Sequence, residues 1–172
     1  ILAKFCGGPG PAHWKAAMKA LRYFWRTKSL GIIYSRVKSR DLTMSAYADS
    51  DHDTCPDSRR SASGGAFILG GGTISWFSRA QRVTASASSE SQYVVLAETV
   101  NETKLLCQVQ EFIMSTLKSC TISIIEDSKS AIKIANNKHS GSRKTRHIDV
   151  KHHIVRDAVE EGFVRIVCVR SE

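Results

Sequence analysis

The sequence predicts an α/β domain built on a mixed sheet with helices on its faces, and three observations predict it. Strand-like runs bounded by polar or glycine residues recur at 42–49, 65–69, 73–77, 120–126 and 163–169. Helical-period stretches fall at about 89–115, 129–136 and 148–161, between the later strands. The run GGG at 70–72 signals a hairpin, so three consecutive strands precede the helical crossovers. The resulting order, β-β-β-α-β-α-α-β, fits a sheet that begins antiparallel and continues parallel.

Each element has its own warrant. After the turn signal GGPGP at 7–11, HWKAAMKALRYFWRTK reads as a helix. Trp14, Met18, Leu21 and Trp25 form an apolar stripe on it, and Lys15, Lys19, Arg22 and Arg26 repeat the spacing one residue later, about 100° around the axis. The basic stripe is either a solvated face beside a buried one or a rail that tracks phosphates. GIIY at 31–34 reads as a short strand and 37–41 as a linker, which divides the chain into a connector over 1–41 and a domain over 42–172. Residues 54–63 form a polar loop. In the long helix, Tyr93, Leu96, Ala97 and Val100 share one face, which Leu105, Val109 and Phe112 continue after a break. The basic loop NNKHSGSRKTR leads into the last helix, and Gly162 stops it.

Composition narrows the class. A chain of 172 residues with 42% apolar content can bury a core as one α/β domain plus an extension. Lys+Arg 25 against Asp+Glu 16 leaves a formal charge of +9, suited to a polyanionic partner such as nucleic acid. Cys6, Cys55, Cys107, Cys120 and Cys168 are odd in number and contain no C-x-x-C, against a disulfide framework or zinc knuckle and in favour of a reducing compartment. No stretch reaches the roughly 18 to 20 apolar residues of a membrane span, so no membrane partner is expected. No signal-peptide pattern is present at the N-terminus. Beginning on Ile1 and stopping after a strand-like run, the sequence reads as an excerpt of a longer polypeptide.

Three acids stand out. Asp127 follows the strand CTISIIE, at a carboxyl end where open α/β sheets place ligands. Asp49 ends the run LTMSAYAD, and Glu90 opens a helix. Together they would make a hard-cation site. A calcium loop opening at Asp49 fails, because its sixth and twelfth positions would be Thr54 and Arg60 in place of Gly and Glu. Asp51 and Asp53 read as a solvated turn. With Ser89 as N-cap, Gln92 falls at the third helical position and completes a capping box, which leaves Glu90 to point elsewhere.

In order and spacing, YADSD, SSESQY, EDSKSAIKIANN and RHIDVKHHIVRD, with SRRSASGGAFILGGGTISWFS between the first two, resemble the ribonuclease H domain of copia-type LTR retrotransposon polyproteins. The upstream HWKAAMKALRYFWRTKSLGIIY resembles the segment that joins reverse transcriptase to that domain. The resemblance implies a ribonuclease H-like fold, a mixed five-stranded sheet with helices on both faces, lacking the C-terminal helix. It implies endonucleolytic cleavage of the RNA strand of RNA–DNA hybrids, with Asp49, Glu90 and Asp127 as catalytic and metal-binding residues. Mg²⁺ is the implied cofactor, with Mn²⁺ as a substitute, and reverse transcriptase of the same polyprotein the implied partner. The implied location is a cytoplasmic retroelement particle, with the nucleus as the alternative.

Departures from the family pattern accompany the matches. The family's fourth acid lies beyond the last strand and is not reached, Gln92 replaces a Glu, His52 replaces a Trp, and Ser128-Lys129 replaces Asn-Gln. Lys129 places a positive charge beside the site, where it would weaken Mg²⁺ binding or contact phosphate. His147, His152 and His153 are poorly spaced for one zinc ion. Arg143, Lys144, Arg146 and Lys151 form either a phosphate-facing patch or a solvated loop. Two rival readings stand beside the nuclease: a decayed domain serving as a binding or assembly module, and an integrase-type strand-transfer enzyme, which the acid order Asp, Glu, Asp disfavours.

Overall fold

The computed structural model describes residues 2–34, 43–51, 60–82, 88–113, 121–136 and 146–169, with side chains except at 134, 136 and 146–152. It divides into two compact units, 1–33 and 34–172. The linker expected at 37–41, Asp53, and Arg143 and Lys144 of the basic loop lie outside the described residues.

The first unit holds a short 3-10 turn, Leu2–Phe5, and helix α1, Pro11–Arg26. Pro11 at the first helical position starts α1 with its φ already set. The Gly10 N–H donates to His13 Nδ1 at 2.9 Å, and Phe5 stacks on the His13 ring at 4.0 Å between centroids. The apolar stripe is not buried as expected: Trp14, Leu21 and Trp25 are 67%, 58% and 71% exposed. A single helix with one short turn supplies no second layer to cover them. Lys15, Lys19, Arg22 and Arg26 are also exposed. The strand expected at 31–34 does not form.

The second unit carries β1 (Ser45–Asp51), β2 (Ala62–Leu69), β3 (Gly72–Ala80), α2 (Ser88–Ile113), β4 (Ile122–Glu126), α3 (Lys129–Asn136), α4 (Arg146–Glu160) and β5 (Val164–Cys168). The sheet order is β3-β2-β1-β4-β5. The β1–β2 and β2–β3 pairs are antiparallel, whereas β1–β4 and β4–β5 are parallel, as the element order required. Gly70 and Gly71 take φ of 61° and 81°, and two consecutive positive values are what a two-residue hairpin turn between β2 and β3 demands. Gly162, at φ 70°, ends α4 as expected.

The core lies on one face of the sheet. Along β1, Ala46, Ala48 and Ser50 are buried while Tyr47, Asp49 and Asp51 are exposed. Ala46, Phe67, Ile122, Ile124 and Val164 meet Tyr93, Leu96 and Val100 of α2 and Val155 and Ala158 of α4. Helices α2, α3 and α4 touch one another as well as the sheet, so they form one layer. The expectation of helices on both faces is therefore not met among the described residues. On the opposite face the strand register lines up Trp76, Ala66, Tyr47, Ile125 and Val167 across all five strands. Trp76 there is 75% exposed and Tyr47 45%.

Helix α2 is continuous, without the expected break. Leu105, Val109 and Phe112 do not continue its core face; they are 54%, 46% and 89% exposed. From Val100, the buried stripe runs instead through Thr103 to Leu106 and Cys107, which pack on the core. Residues 62 and 63, expected in a loop, belong to β2, where Ser63 pairs with Ser50 of β1. At Gly65 a Cβ would drive into the Phe77 ring of β3, so glycine there permits a close approach.

Candidate active site

Asp49 lies inside β1, not after it, because the strand continues to Asp51. Asp127 directly follows β4. The parallel register pairs Tyr47 with Ile125, so Asp49 and Asp127 each stand two residues beyond the same rung. Both acids are exposed, and the β1–β4 pairing itself ends at the Tyr47–Ile125 rung. Asp51 shares that face with Asp49, so solvent exposure alone does not separate them. Glu90 is half-buried in the first turn of α2.

A buried polar network fixes where α2 starts relative to β1. Gln92 takes no part in the expected capping box, because helix α2 begins at Ser88 and the carboxamide is committed to β1. The Ser50 N–H donates to Gln92 Oε1 at 3.1 Å, and Gln92 Nε2 donates to the Ser50 carbonyl at 3.2 Å. The Ser50 and Ser91 hydroxyls bond at 2.9 Å. Gln81 Nε2 reaches both Ser63 Oγ, at 3.0 Å, and the Ser91 carbonyl, at 2.9 Å. The network thus holds Ser50 and Ser91, the residues that follow Asp49 and Glu90. Of its members the sequence singles out only Gln92, and that for a different task, although Ser50 and Ser63 fall in phase with the core positions of their strands.

A fourth carboxyl, also missed, stands beside Asp127. Glu126 is in phase with Ile122 and Ile124 on the buried side of β4 and is 1% exposed. Strand alternation after Ile122 and Ile124 was the signal that could have found it. Its Oε1 accepts the Ser128 N–H at 3.2 Å, while Oε2 is buried without a hydrogen-bond partner. Burial pushes its pKa up to about 8; the Ser128 amide opposes the rise, and the negative charges of Asp127 and Asp49, with a side-chain hydrogen bond from the protonated acid to Asp127, add to it. Asp127 also lines a cleft with Ser128, Lys129, Ser130 and Lys133.

Carboxylate oxygens are the donors that hard divalent cations prefer, so the donor chemistry of Asp49, Glu90 and Asp127 fits Mg²⁺. Their spacing does not form a cage: among the described residues no three His, Cys, Asp or Glu side chains stand close enough to hold one metal ion. Arg146 and Lys151 fall in α4, but their side chains, like those of His147 and His152, lie outside the described set. His153 is exposed. No described helix is long and apolar enough to cross a membrane.

No protein-family model matches the chain. It is 29% identical over 172 residues to the retrovirus-related Pol polyprotein from transposon TNT 1-94 of Nicotiana tabacum, covering 99% of the chain and 12% of that protein. To the corresponding polyprotein from transposon RE2 of Arabidopsis thaliana it is 30% identical over 170 residues, 99% of the chain and 11% of that protein. A secreted RxLR effector protein, 161, of Plasmopara viticola is 38% identical over 102 residues, 59% of the chain and 70% of the effector. The chain thus spans about a tenth of the length of these transposon polyproteins.

Among solved structures, LC11-RNase H1 in complex with RNA/DNA hybrid aligns with TM-score 0.52 at 11% identity, covering 74% of this chain and 86% of that one. The foamy viral protease-reverse transcriptase in complex with RNA/DNA hybrid aligns with TM-score 0.54 at 11% identity, covering 96% of this chain and 24% of that one. At such identities the likeness is one of fold, and the fold is that of ribonuclease H.

Proposed function

Because the chain belongs to the retrovirus-related Pol polyproteins of transposons, we propose that it is the ribonuclease H segment of a copia-type element, cutting the RNA strand of RNA–DNA hybrids alongside reverse transcriptase of the same polyprotein. One observation supports the reading: on a ribonuclease H fold, Asp49 and Asp127 each lie two residues beyond the last β1–β4 rung, Tyr47–Ile125, and buried hydrogen bonds hold the first turn of α2, which carries Glu90, against β1. Bound Mg²⁺ or Mn²⁺ would supply the charge that phosphodiester hydrolysis requires. Asp49, Glu90 and Asp127 are the residues that would hold it, and Gln92 and Ser91 maintain the approach of their two elements.

The test is cleavage of a hybrid labelled on its RNA strand, in Mg²⁺, in Mn²⁺ and in chelator. RNA cut only in the hybrid and only with metal is the expected result. Because the family's fourth acid lies beyond Glu172, weak cleavage is expected of this stretch alone, and no cleavage in either metal by a chain extended through that acid would remove the nuclease reading. A second reading, a non-catalytic domain that binds nucleic acid, draws on the acids' failure to converge among the described residues and on the unpaired buried oxygen of Glu126. Hybrid binding without cleavage would favour it.

A further inference from the structure

The cleft beside Asp127 has a composition that the acids do not account for. It encloses about 740 Å³ at the carboxyl ends of the parallel strands β4 and β5, between the first turn of α3 and Cys168. Lys129 and Lys133 line it, four residues apart and therefore on one helical face. Both are exposed, and among the described residues neither makes an ion pair.

Helix energetics do not favour this arrangement. The amino end of a helix carries partial positive charge and prefers an acid. Helix α3 has no acid in its first turn and begins with Lys129. Like charges at i and i+4 repel as well, so the lysine pair costs local stability. Ser128 already satisfies the Ala131 N–H as the cap, with its Oγ at 3.3 Å. The lysines are thus not needed to close the helix end, and their field is directed into the cleft. Ser130 Oγ, 2.9 Å from Ser128 Oγ, adds a hydroxyl at the same mouth.

We propose that this cleft is a phosphodiester subsite: Lys129 and Lys133 hold a backbone phosphate of the nucleic-acid strand that passes Asp127. The inference rests on the nucleic-acid reading above and deepens it by naming the residues that fix strand position. It also gives Lys129 a defined task, phosphate contact, of the two open to it from the sequence.

Binding of a fluorescent hybrid whose RNA strand is 2′-O-methylated, and so resists cleavage, tests the subsite separately from catalysis. The whole chain is compared with the Lys129→Gln/Lys133→Gln double variant and with Lys104→Gln/Arg165→Gln, which removes equal charge near the start of β5. Loss of the one neutralised phosphate should lower the log–log salt slope by about 0.7 to 0.9, roughly a threefold smaller affinity ratio between about 50 and 200 mM salt. The control pair should leave the slope near that of the parent chain.

Equal slopes for the parent and the Lys129/Lys133 variant would overturn the subsite, as would an equal drop in the control, which would mean general electrostatics only. Absence of hybrid binding by the parent would overturn it too. Parent binding that depends on these lysines, without RNA cleavage by the extended chain in the separate assay, would sink the nuclease reading while leaving the subsite standing.

Discussion

The side chain of Gln92 occupies both backbone groups of Ser50, accepting its N–H at 3.1 Å and donating to its carbonyl at 3.2 Å. A carboxamide can do both at once, because it carries a donor and an acceptor side by side. The pairing is buried and ties the end of β1 to the first turns of α2. Replacing Gln92 by Leu strands two backbone groups, each costing about 1 to 3 kcal/mol. Gln92→Leu should therefore lower unfolding free energy by about 2 to 6 kcal/mol in urea titrations, whereas Gln108→Leu, at an exposed position of the same helix, should change it by less than about 0.5 kcal/mol. Similar losses at both positions would show that the clamp contributes little.

Asp49 and Asp51 share the exposed face of β1, but Asp49, like Asp127, lies two residues beyond the Tyr47–Ile125 rung. If metal is held there, Asp49→Asn removes an anionic ligand and should abolish hybrid cleavage, a loss of at least about two orders of magnitude. Asp51→Asn should retain most activity. Circular dichroism of both variants should match the parent. Equal losses at the two positions would assign the role to the wrong acid.

Glu126 makes stability depend on pH in a direction opposite to that of a salt-bridged acid. Its folded pKa, about 8, lies above the ordinary 4.5, so the folded state holds the proton more tightly than the unfolded chain. The stability present below pH 4.5 is then lost as pH rises toward 8. A shift of this size corresponds to about 5 kcal/mol at the alkaline end. Glu126→Gln keeps the acceptor for the Ser128 N–H and removes the titration. The variant should match the parent near pH 4.5 and exceed it in urea midpoint by pH 8.5; parallel curves across that range would contradict the buried-acid account.

Phe77 lies where a side chain at Gly65 would go. Gly65→Ala should destabilise the unit by about 1 to 3 kcal/mol through overpacking. Combining it with Phe77→Leu should recover part of that loss, measured as a double-mutant cycle in thermal or urea unfolding. Strict additivity would mean that the ring moves aside at no cost.

Periodicity and turn chemistry by themselves determined the order of elements. Gly70 and Gly71 could make only a tight hairpin, the long apolar-periodic stretch only a helix, and three strands before the first crossover left a mixed sheet. Asp127 was legible because strand ends are marked by composition. What sequence could not decide was which residues meet. Alternation placed Glu126 in the core phase of β4, but only packing showed its Oε2 without a partner. Gln92 reads locally as a capping residue; its bonds to Ser50 span 42 positions and exist only because β1 lies under α2. The same nonlocality explains Leu105, Val109 and Phe112, whose helical face is set by where the sheet ends and not by their own hydrophobicity. Local rules act over a few residues, whereas burial and hydrogen-bond partnership are settled by the register of strands far apart in the chain, and so belonged to the tertiary structure.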